Sequence, residues 1–327
     1  MMKKLKVWGL ATAIVLFSGA ANLAHAALPN CPSGAVKVVV PNPPGAGGDI
    51  LSRLLGEKVG AALGQNIVME NRAGATTTIG TANVARSTPD GCTILSLTAS
   101  GVVASVFLDN LPYELTRDLQ PIAGIGSVPM ALAVPNDANI NSIDDLAKIA
   151  KSPGGLTYAS GGVGTLAHLS TVRLLNALHG VGNHIPFKGN PDATQALLGN
   201  HVQMFFLSVA DGRALEESGK AKILAVTAKE RLPMFPHTPT LIELGFDDFA
   251  PSLWYGYLAP AKTPADTIDQ LYKAFASAVN DPQIQEKLKN MGFTIDLQDP
   301  VQLKAFMAEE AKRWGKVIRD NNIQSGS

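Results

Sequence analysis

VVVPNPPGAGGDILSRLL, residues 38–55, joins a strand-like apolar run to a helix-like pattern through three prolines and three glycines. Gly45, Gly47 and Gly48 allow the backbone to approach a ligand closely, because they have no side chain. The start of a helix adds unpaired N–H groups and a partial positive charge. No lysine or arginine occurs in the stretch before Arg53. It therefore predicts an anion-binding loop made of backbone, with a tight turn that binds nothing as the alternative.

Strand and helix patterns alternate along the rest of the chain. Such alternation predicts an α/β fold in which mostly parallel sheets are flanked by helices, and it leaves open whether there is one large sheet or two smaller ones. A proline-rich connector is expected at residues 231–246. Strands are predicted at residues 36–41, 66–70, 92–98, 128–135, 156–160, 184–187, 202–206, 222–227 and 254–260. Helices are predicted at residues 49–63, 79–87, 143–152, 164–180, 191–199, 211–219, 264–279 and 301–318.

Three further loops resemble the first, because each follows a strand and is rich in small or hydroxyl residues. They read NRAGATTTIG (71–80), LTASG (97–101) and YASGGVGTLAHL (158–169). Ligands of open parallel sheets collect beyond the carboxyl ends of the strands, where such loops lie. Four of these loops together predict a carboxylate-sized ligand held by N–H and O–H donors.

Cofactor motifs are incomplete in this sequence. Residues 162–167 match a dinucleotide-binding glycine pattern, but the acidic residue expected about twenty positions later is missing. No phosphate-binding P-loop motif occurs, and the five histidines beyond residue 26 lack metal-ligand spacing. The sequence therefore predicts no cofactor and no metal.

Candidate catalytic groups are equally sparse. Ser160 is not in a nucleophile elbow, because Tyr158 occupies the first glycine position. His168 lies on a predicted helix that begins at the fourth loop, where it could face a ligand or be structural. Asp49 is expected to cap its helix. A secreted hydrolase or isomerase would need an acid–base pair, and only Asp49 and His168 are on offer, so we predict a protein that is not an enzyme.

The first 26 residues predict a secretory signal peptide. Lys3, Lys4 and Lys6 precede an apolar stretch that runs from residue 7 to about residue 20, and residues 24–26 (AHA) form a cleavage site. An uncleaved anchor helix is the alternative. Without the three lysines, 24 basic residues remain against 27 acidic ones, with no basic face or charge run. We expect a soluble, exported protein that neither binds nucleic acid nor inserts into a membrane once the signal is cleaved.

The chain contains two cysteines, Cys31 and Cys92. Cysteine pairs of exported proteins usually form disulfides. Each lies just before or at the start of a predicted strand, so parallel neighbouring strands would place both at the same end of a sheet. We predict a structural disulfide.

Residues 38–95 resemble the start of the tripartite tricarboxylate transporter substrate-binding proteins, the Bug or TctC-like family. That family's pattern has a strand, P-F-P-P-G-G-x-T-D, a helix, L-G-Q-x-V-x-V-E-N-R-x-G-A and a P-D-G-Y-T-L turn. Further matches cover essentially the whole chain beyond residue 26 in the right order. They are LTYASGGVGTLAHL (156–169), IPFKGNPDATQALLGNHVQMFF (185–206), ILAVTAKERLPMFPHTPTLIELGF (223–246) and WYGYLAPAKTPADTI (254–268).

The resemblance implies a two-domain periplasmic binding protein fold of type II, with the ligand cleft between the domains. Domain I would hold residues 27–127 and 253–327, and domain II residues 128–252. The domains would close on a small organic acid about hinges near residues 127–130 and 252–258, and integral-membrane permease subunits would receive the ligand. The implied ligand contacts are Asn42, Pro44, Gly45, Ala46, Gly47, Gly48, Asp49, Thr76, Thr77, Thr78, Thr98, Ala99, Ser100, Ser160, Gly161, Gly164, Thr165, His168, Gly189, Asn190 and Ser208.

Several positions depart from the family pattern. Asn42 replaces an aromatic residue, Gly48 replaces threonine and Cys92 replaces tyrosine. Ser208 stands where the family often has an acid or asparagine that can select an amine, which argues against an amino-acid ligand. A dicarboxylate or an aromatic carboxylate would suit a neutral, hydroxyl-lined cleft. Signalling to a receptor kinase, by a protein that senses rather than delivers its ligand, is the alternative function.

Overall fold

The computed structural model describes Cys31, residues 34–247 and residues 249–324. The predicted signal peptide, residues 1–26, lies outside the described residues. The strands are β1 (Ala35–Val40), β2 (Asn66–Asn71), β3 (Thr93–Thr98), β4 (Leu119–Pro135), β5 (Leu156–Ser160), β6 (Gly182–Pro186), β7 (Phe205–Ser208), β8 (Ala221–Val226), β9 (Ser252–Pro260) and β10 (Thr294–Gln298). The helices are α1 (Gly47–Leu63), α2 (Thr78–Ala85), α3 (Ala99–Phe107), α4 (Leu115–Asp118), α5 (Ile143–Ala150), α6 (Leu166–Ala177), α7 (Asn190–Leu198), α8 (Val209–Glu217), α9 (Ala265–Val279), α10 (Pro282–Asn290) and α11 (Pro300–Asp320).

The first sheet has the strand order β2-β1-β3-β9-β4-β10. Strands β2, β1 and β3 are parallel, and β9 is antiparallel to both β3 and β4. Strand β4 therefore points the same way as β1, β2 and β3, so that most strands of this sheet run in one direction. The helices lie on both faces. Tyr257 on β9 stacks on Phe275 of α9, whereas Trp254, which points to the opposite face, packs against Phe306 of α11.

The second sheet is built on the other half of β4. Strands β7 and β8 pair antiparallel with β4 from Met130 to Pro135. Strand β5 pairs parallel with β6, and a parallel bridge between Tyr158 and Met204 joins β5 to the start of β7. Strands β5, β6, β7 and β8 consequently all run opposite to β4. The two sheets share one continuous strand.

This shared strand makes the carboxyl ends of the two sets of parallel strands face each other. Strand β4 leaves the first sheet in the direction in which β1, β2 and β3 end. The second sheet's strands run back against β4, and the last residue of β7, Ser208, pairs with Met130 close to where β4 leaves the first sheet. Loops at strand ends are where α/β sheets bind ligands. Both sets of loops therefore border one interface.

Thr227 links the two chain segments, at Met130 and Pro251, that pass between the sheets. Its hydroxyl accepts a hydrogen bond from the Met130 N–H (2.8 Å) and donates one to the Pro251 carbonyl (2.6 Å). Its own N–H donates to the Met130 carbonyl at 2.8 Å, and the residue is 1% exposed. Met130 lies on β4 and Pro251 directly precedes β9, so Thr227 fixes the spacing of the chain where it passes between the sheets.

The predicted disulfide between Cys31 and Cys92 is confirmed, with the two Cα atoms 5.5 Å apart. It joins the segment before β1 to the residue before β3, at the amino ends of those strands. The bond therefore lies at the edge of the first sheet opposite the ligand loops. Within the described part of the chain, no helix combines the length and apolar character needed to cross a membrane.

The strand predicted at residues 128–135 starts nine residues earlier, at Leu119. Pro121, Gly124 and Gly126 interrupt the strand pattern of this region in the sequence. The structure accommodates them with register shifts against β9 at Pro121/Ala123 and Gly124/Gly126. Helices α3, α4 and α10 and strand β10 were not predicted. Residues 231–246 contain no regular helix or strand, as expected.

Replacement of Thr227 by valine should lower the free energy of unfolding by about 1–3 kcal/mol, because valine keeps the shape but leaves two buried backbone groups without partners. The Thr227→Ser variant retains the hydroxyl and should lose less. Urea unfolding followed by circular dichroism measures both. Equal stability of the valine variant and the unchanged protein would show that this tie contributes nothing.

Candidate functional site

Asp49 organises the loop between β1 and α1. Its carboxylate accepts hydrogen bonds from the Gly45 N–H (2.9 Å), from Asn71 Nδ2 (3.0 Å) and from Arg53 Nε (3.0 Å). Burial raises the pKa of Asp49, but the hydrogen bonds from Arg53, Gly45 and Asn71 outweigh it and hold the pKa below its usual value. Asn71 also donates to the Asn42 carbonyl at 3.1 Å. The carboxylate therefore fixes the loop before α1 and does not cap that helix, whose N-cap is Ala46.

Three helices begin at this edge of the first sheet without a side-chain cap. The N-cap residues Ala46, Thr77 and Thr98 of α1, α2 and α3 accept no hydrogen bond from the first helical turn, although both threonines carry hydroxyl groups that could cap. Side chains do cap α5, α6, α8, α10 and α11. No side chain therefore blocks the first turns of α1, α2 and α3, where helix N–H groups can bind an anion, although the first N–H of α2, at Thr78, donates to the Ala75 carbonyl at 3.0 Å.

The starts of these helices lie against one another. A methyl group added at Gly48 would lie 3.4 Å from both Asn42 Oδ1 and Thr98 Cγ2, and one added at Gly101 would lie 3.5 Å from Thr77 Oγ1. Within the described residues, Asn42 Oδ1 and Thr77 Oγ1 are buried and have no hydrogen-bond partner. Buried polar atoms are nearly always paired, so these two atoms mark a place for a polar guest.

The backbone before α2 is strained at the same place. Ala75, Thr76 and Thr77 have φ angles of 45°, 49° and 73°, in the left-handed region that side chains disfavour. Strain of this kind concentrates at ligand clamps and switch regions. The loop that carries the predicted contacts Thr76 and Thr77 is therefore held in an unusual conformation by its surroundings.

The loops of the second sheet form a matching surface. A methyl group added at Gly161 would lie 2.5 Å from Asn190 Oδ1, so the loop after β5 touches the start of α7. Gly189 and Asn190, predicted from the resemblance, therefore adjoin the Ser160–Thr165 loop. Ser208 lies at the end of β7, where its hydroxyl caps α8 and donates to Asp211 Oδ2 at 2.7 Å.

The two surfaces touch across the interface. Thr76 Oγ1 donates to the Val163 carbonyl at 3.5 Å. The ring of Phe107, at the end of α3, packs so closely on Gly164 that an added methyl group would lie 2.5 Å from it. The loops from the two sheets thus meet, as in a closed form of a two-domain binding protein.

The structure gives ten of the 21 predicted contacts different roles. Asn42, Gly48, Thr77 and Thr98 come together with free polar groups, as described above. Five others use their side chains within the protein: Asp49, Ser160, Thr165, His168 and Ser208. Thr78 lines a surface depression of about 490 Å³ beside α2, together with Arg72 and Asn83, outside the interface.

A stack of three rings, not predicted from the sequence, lies under the Ser160–Thr165 loop. His168 and His184 lie face to face with ring centroids 3.9 Å apart and planes 5° apart, and Tyr158 stacks on His184 at 5.0 Å. Burial lowers the pKa of His168 to about 3, with a smaller contribution from His184, and lowers the pKa of His184 to about 4. The only signal in the sequence was the histidine within the predicted strand at 184–187.

Tyr255 was also missed. A methyl group added at Gly47 would lie 2.3 Å from the Tyr255 hydroxyl oxygen. The residue pairs with Thr98 in the register of β3 and β9, so it lies beside the helix starts. Burial raises its pKa, and the nearby Asp211 of the second sheet adds to the rise. The alternation of WYGYLAP predicts a strand and gives no sign of this role.

The chain matches the family described as tripartite tricarboxylate transporter family receptor over residues 51–323. A UPF0065 protein from the tcbD-tcbE intergenic region of Pseudomonas sp. (strain P51) is 33% identical over 90% of this chain and 88% of its own length. The solved periplasmic binding protein BugD is 32% identical, with a TM-score of 0.83 over 90% of this chain and 100% of its own. The expected two-domain periplasmic binding protein fold is confirmed.

Two similar structures contain ligands. MatC from Rhodopseudomonas palustris, solved with bound malate, is 28% identical, with a TM-score of 0.82 over 88% of this chain and 100% of its own. Rpa4515 from R. palustris, solved with adipate, is 27% identical, with a TM-score of 0.83 over 90% of this chain and 99% of its own. Both ligands are small dicarboxylates.

Gly47→Ala should destabilise the protein by about 1–3 kcal/mol, because the new methyl group overlaps the Tyr255 hydroxyl. Adding Tyr255→Phe removes the oxygen and leaves the nearest ring carbon 3.2 Å away. Gly47→Ala should therefore destabilise the Tyr255→Phe protein less than it destabilises the unchanged protein. A double-mutant cycle by thermal unfolding measures this coupling. Additive effects would mean that the two residues do not meet.

Stability should fall as the pH drops below about 6.5, the ordinary pKa of histidine. His168 and His184 have lowered pKa values in the folded protein, so the unfolded chain binds more protons between pH 6.5 and pH 4. We expect a loss on the order of 2 kcal/mol at pH 5, allowing for screening at the partly exposed His184. His184→Phe should weaken this pH dependence, whereas His237→Phe, at an exposed histidine, should leave it unchanged. The measurement is the urea concentration at half-unfolding, at pH 7 and at pH 5. An equal change in this midpoint between the two pH values in all three proteins would contradict the prediction.

Proposed function

Because this chain belongs to the tripartite tricarboxylate transporter receptor family, whose members are periplasmic solute-binding proteins, we propose that it captures a small carboxylated organic acid by domain closure. It would deliver that acid to integral-membrane permease subunits of the tripartite tricarboxylate type. The signal peptide expected at residues 1–26 would direct the chain to the periplasm.

The convergence of three uncapped helix starts carries this proposal. Helices α1, α2 and α3 direct their uncapped, positive ends to one place, where Thr77 adds an unpaired hydroxyl. The nearest arginine of the loop, Arg53, is bound to Asp49. A carboxylate is small enough to accept several N–H and O–H donors at once, and it needs no charged partner when they are preorganised.

A dicarboxylate is the ligand class that we favour over an aromatic carboxylate. The proposed first carboxylate site lies at Gly45–Asp49, Thr76–Thr77 and Thr98–Ser100. The uncapped start of α7 at Gly189 and Asn190, beside Gly161, offers donors on the facing surface. Two donor sets on opposite walls would suit a molecule with an anionic group at each end. Malate and adipate, found in the similar structures, have this form.

Closure would bring these two walls together. We assign residues 27–127 and 253–327 to domain I and residues 128–252 to domain II, with hinges near residues 127–130 and 252–258. Thr227 lies between these hinge segments. Contacts made by one ligand to both walls would stabilise the closed form, and the permease would recognise that form.

The test uses the protein beginning at residue 27, unfolded and refolded so that mass spectrometry detects no bound small molecule. Thermal unfolding is followed with L-malate, adipate, benzoate and L-glutamate. A native-state ligand at a hundred times its Kd adds about 2.7 kcal/mol of stability, which raises the melting temperature. A rise with malate or adipate, absent with L-glutamate, is the expected result. If none of the carboxylates raises the melting temperature, the proposal is wrong.

Ser100→Pro locates the site. Proline is tolerated in the first turn of a helix but removes the Ser100 N–H at the start of α3. Losing one charge-assisted hydrogen bond should weaken binding of the identified acid by about tenfold or more. Ser100→Ala tests the side chain separately, and Ala265→Pro makes the same backbone change at the start of α9, which is also uncapped but follows β9 at the opposite edge. Equal weakening by Ser100→Pro and Ala265→Pro would contradict this location.

A further inference from the structure

Two histidine rings support the loop that domain II contributes to the interface. His168 Nδ1 accepts the Gly164 N–H at 3.1 Å. Because that nitrogen accepts, it carries no proton, and the neutral ring has its proton on Nε2. His168 is 6% exposed, and one face of its ring is covered by His184. The backbone N–H of His168 donates to Thr165 Oγ1 at 3.4 Å. The ring is thus positioned from two sides.

His184 reaches the same loop through Ser160. His184 Nε2 lies 2.6 Å from Ser160 Oγ, which also accepts the Gly162 N–H (3.1 Å) and donates to the Gly162 carbonyl (2.8 Å). All three bonds are satisfied together when His184 Nε2 carries the proton and donates. The bond from Gly164 therefore requires a neutral His168, whereas His184 can donate from Nε2 in either protonation state, and together the two rings fix the loop at Ser160, Gly162 and Gly164.

The part of the loop that they hold is the part that meets the first sheet. Gly164 packs on Phe107, and the neighbouring Val163 carbonyl accepts the hydrogen bond from Thr76. Gly164 has a φ angle of 76°, in the left-handed region that glycine adopts freely, and it has no side chain of its own to fix that conformation. Protonation or movement of the His168 ring would therefore disturb this contact, because the ring is bonded directly to the Gly164 N–H.

Protonation is incompatible with the arrangement for two reasons. A protonated His168 has a donor at Nδ1, which cannot accept the Gly164 N–H. A positive charge on His168 would also be buried, and one on the partly exposed His184 would lie against that buried ring, with the ring centroids 3.9 Å apart. This agrees with the low pKa values of both rings, about 3 for His168 and about 4 for His184.

The surrounding elements provide no counter-charge. Helix α6 packs against β5, β6, β7, α3 and α11. Strand β5 offers only Tyr158 as a titratable group, β6 offers only His184, and β7 and α3 have none. On α11, Glu310 is bonded to Trp254, Trp314 and Arg313, and the one charge that acts on the pKa of His168 is that of His184.

We propose that His168 and His184 are positioning residues for ligand binding: as a neutral stacked pair they hold the Ser160–Thr165 loop in its binding conformation, and their protonation in acid releases the loop and the ligand. The inference rests on the proposed binding function. The resemblance implied that His168 contacts the ligand directly. In this proposal His168 acts through its hydrogen bond to Gly164 instead. The protein would bind its acid in a neutral periplasm and lose it in an acidic one.

The first arm of the test needs no ligand. Amide hydrogen exchange of the protein beginning at residue 27 is measured at pH 7 and pH 5, and protection is corrected for the intrinsic exchange rate. The Gly164 N–H should lose about tenfold of its protection at pH 5, because a released histidine with an ordinary pKa gains a proton there. The Leu169 N–H, bonded to the Thr165 carbonyl at 3.0 Å in α6, is the internal control. Equal changes at Gly164 and Leu169 overturn the proposal.

The second arm measures the Kd of L-malate, or of adipate if malate does not bind at pH 7. These acids themselves gain protons at low pH, which changes their Kd without the histidines. The ratio of Kd at pH 5 to Kd at pH 7 is therefore measured in the unchanged protein and in the double variant His168→Asn/His184→Gln. This variant keeps an acceptor near Nδ1 of residue 168 and a donor near Nε2 of residue 184, but neither side chain titrates. The ratio should be about tenfold smaller in the variant.

The arms separate the two hypotheses. An equal ratio in both proteins overturns the histidine proposal while the carboxylate-binding function stands. Failure of every acid to bind at pH 7 overturns that function, and the exchange measurement still decides whether the histidines hold the loop. If the variant does not fold, His184→Gln alone replaces it, and half or more of the pH effect on Kd should then disappear.

Discussion

One continuous strand sets the geometry on which the binding site depends. Strand β4 pairs with β9 and β10 in the first sheet and with β7 and β8 in the second. Its direction is common to β1, β2 and β3 and opposite to β5, β6, β7 and β8, so the carboxyl ends of both groups must face one another. Backbone hydrogen bonding alone thus brings two sets of loops to one interface. The side chains decide what the interface can hold.

The helices differ in whether a side chain caps their first turn. Caps satisfy the first turns of α5, α6, α8, α10 and α11 with side chains from within the protein. At α1, α2 and α3 this stabilisation is absent. Asp49 fixes the loop before α1, and the strained Ala75–Thr77 segment precedes α2. A protein that leaves backbone donors unpaired loses some stability and gains a place for an anion.

The facing wall is built differently, with its polar side chains already paired. Ser160, Thr165 and Ser208 bond to their own loops or helices, and His168 and His184 support the loop from below. This wall therefore presents mainly backbone to the interface. The uncapped starts of α1, α2 and α3 lie on the opposite wall, an arrangement that agrees with membership of a family of solute-binding receptors.

The sequence alone determined the features that follow from local pattern, from composition and from the order of motifs. The alternation of strands and helices, the glycine loops at strand ends and the disulfide between Cys31 and Cys92 follow from local pattern and composition, and the family follows from the order of its motifs. The start of β4 was not predictable, because Pro121, Gly124 and Gly126 disturb the strand pattern and only pairing with β9 accommodates them. The roles of Asp49, His168, His184 and Tyr255 were decided by the tertiary structure. Their partners come from other strands and helices, and a hydrogen bond or a ring stack between distant segments leaves no periodic trace in the sequence.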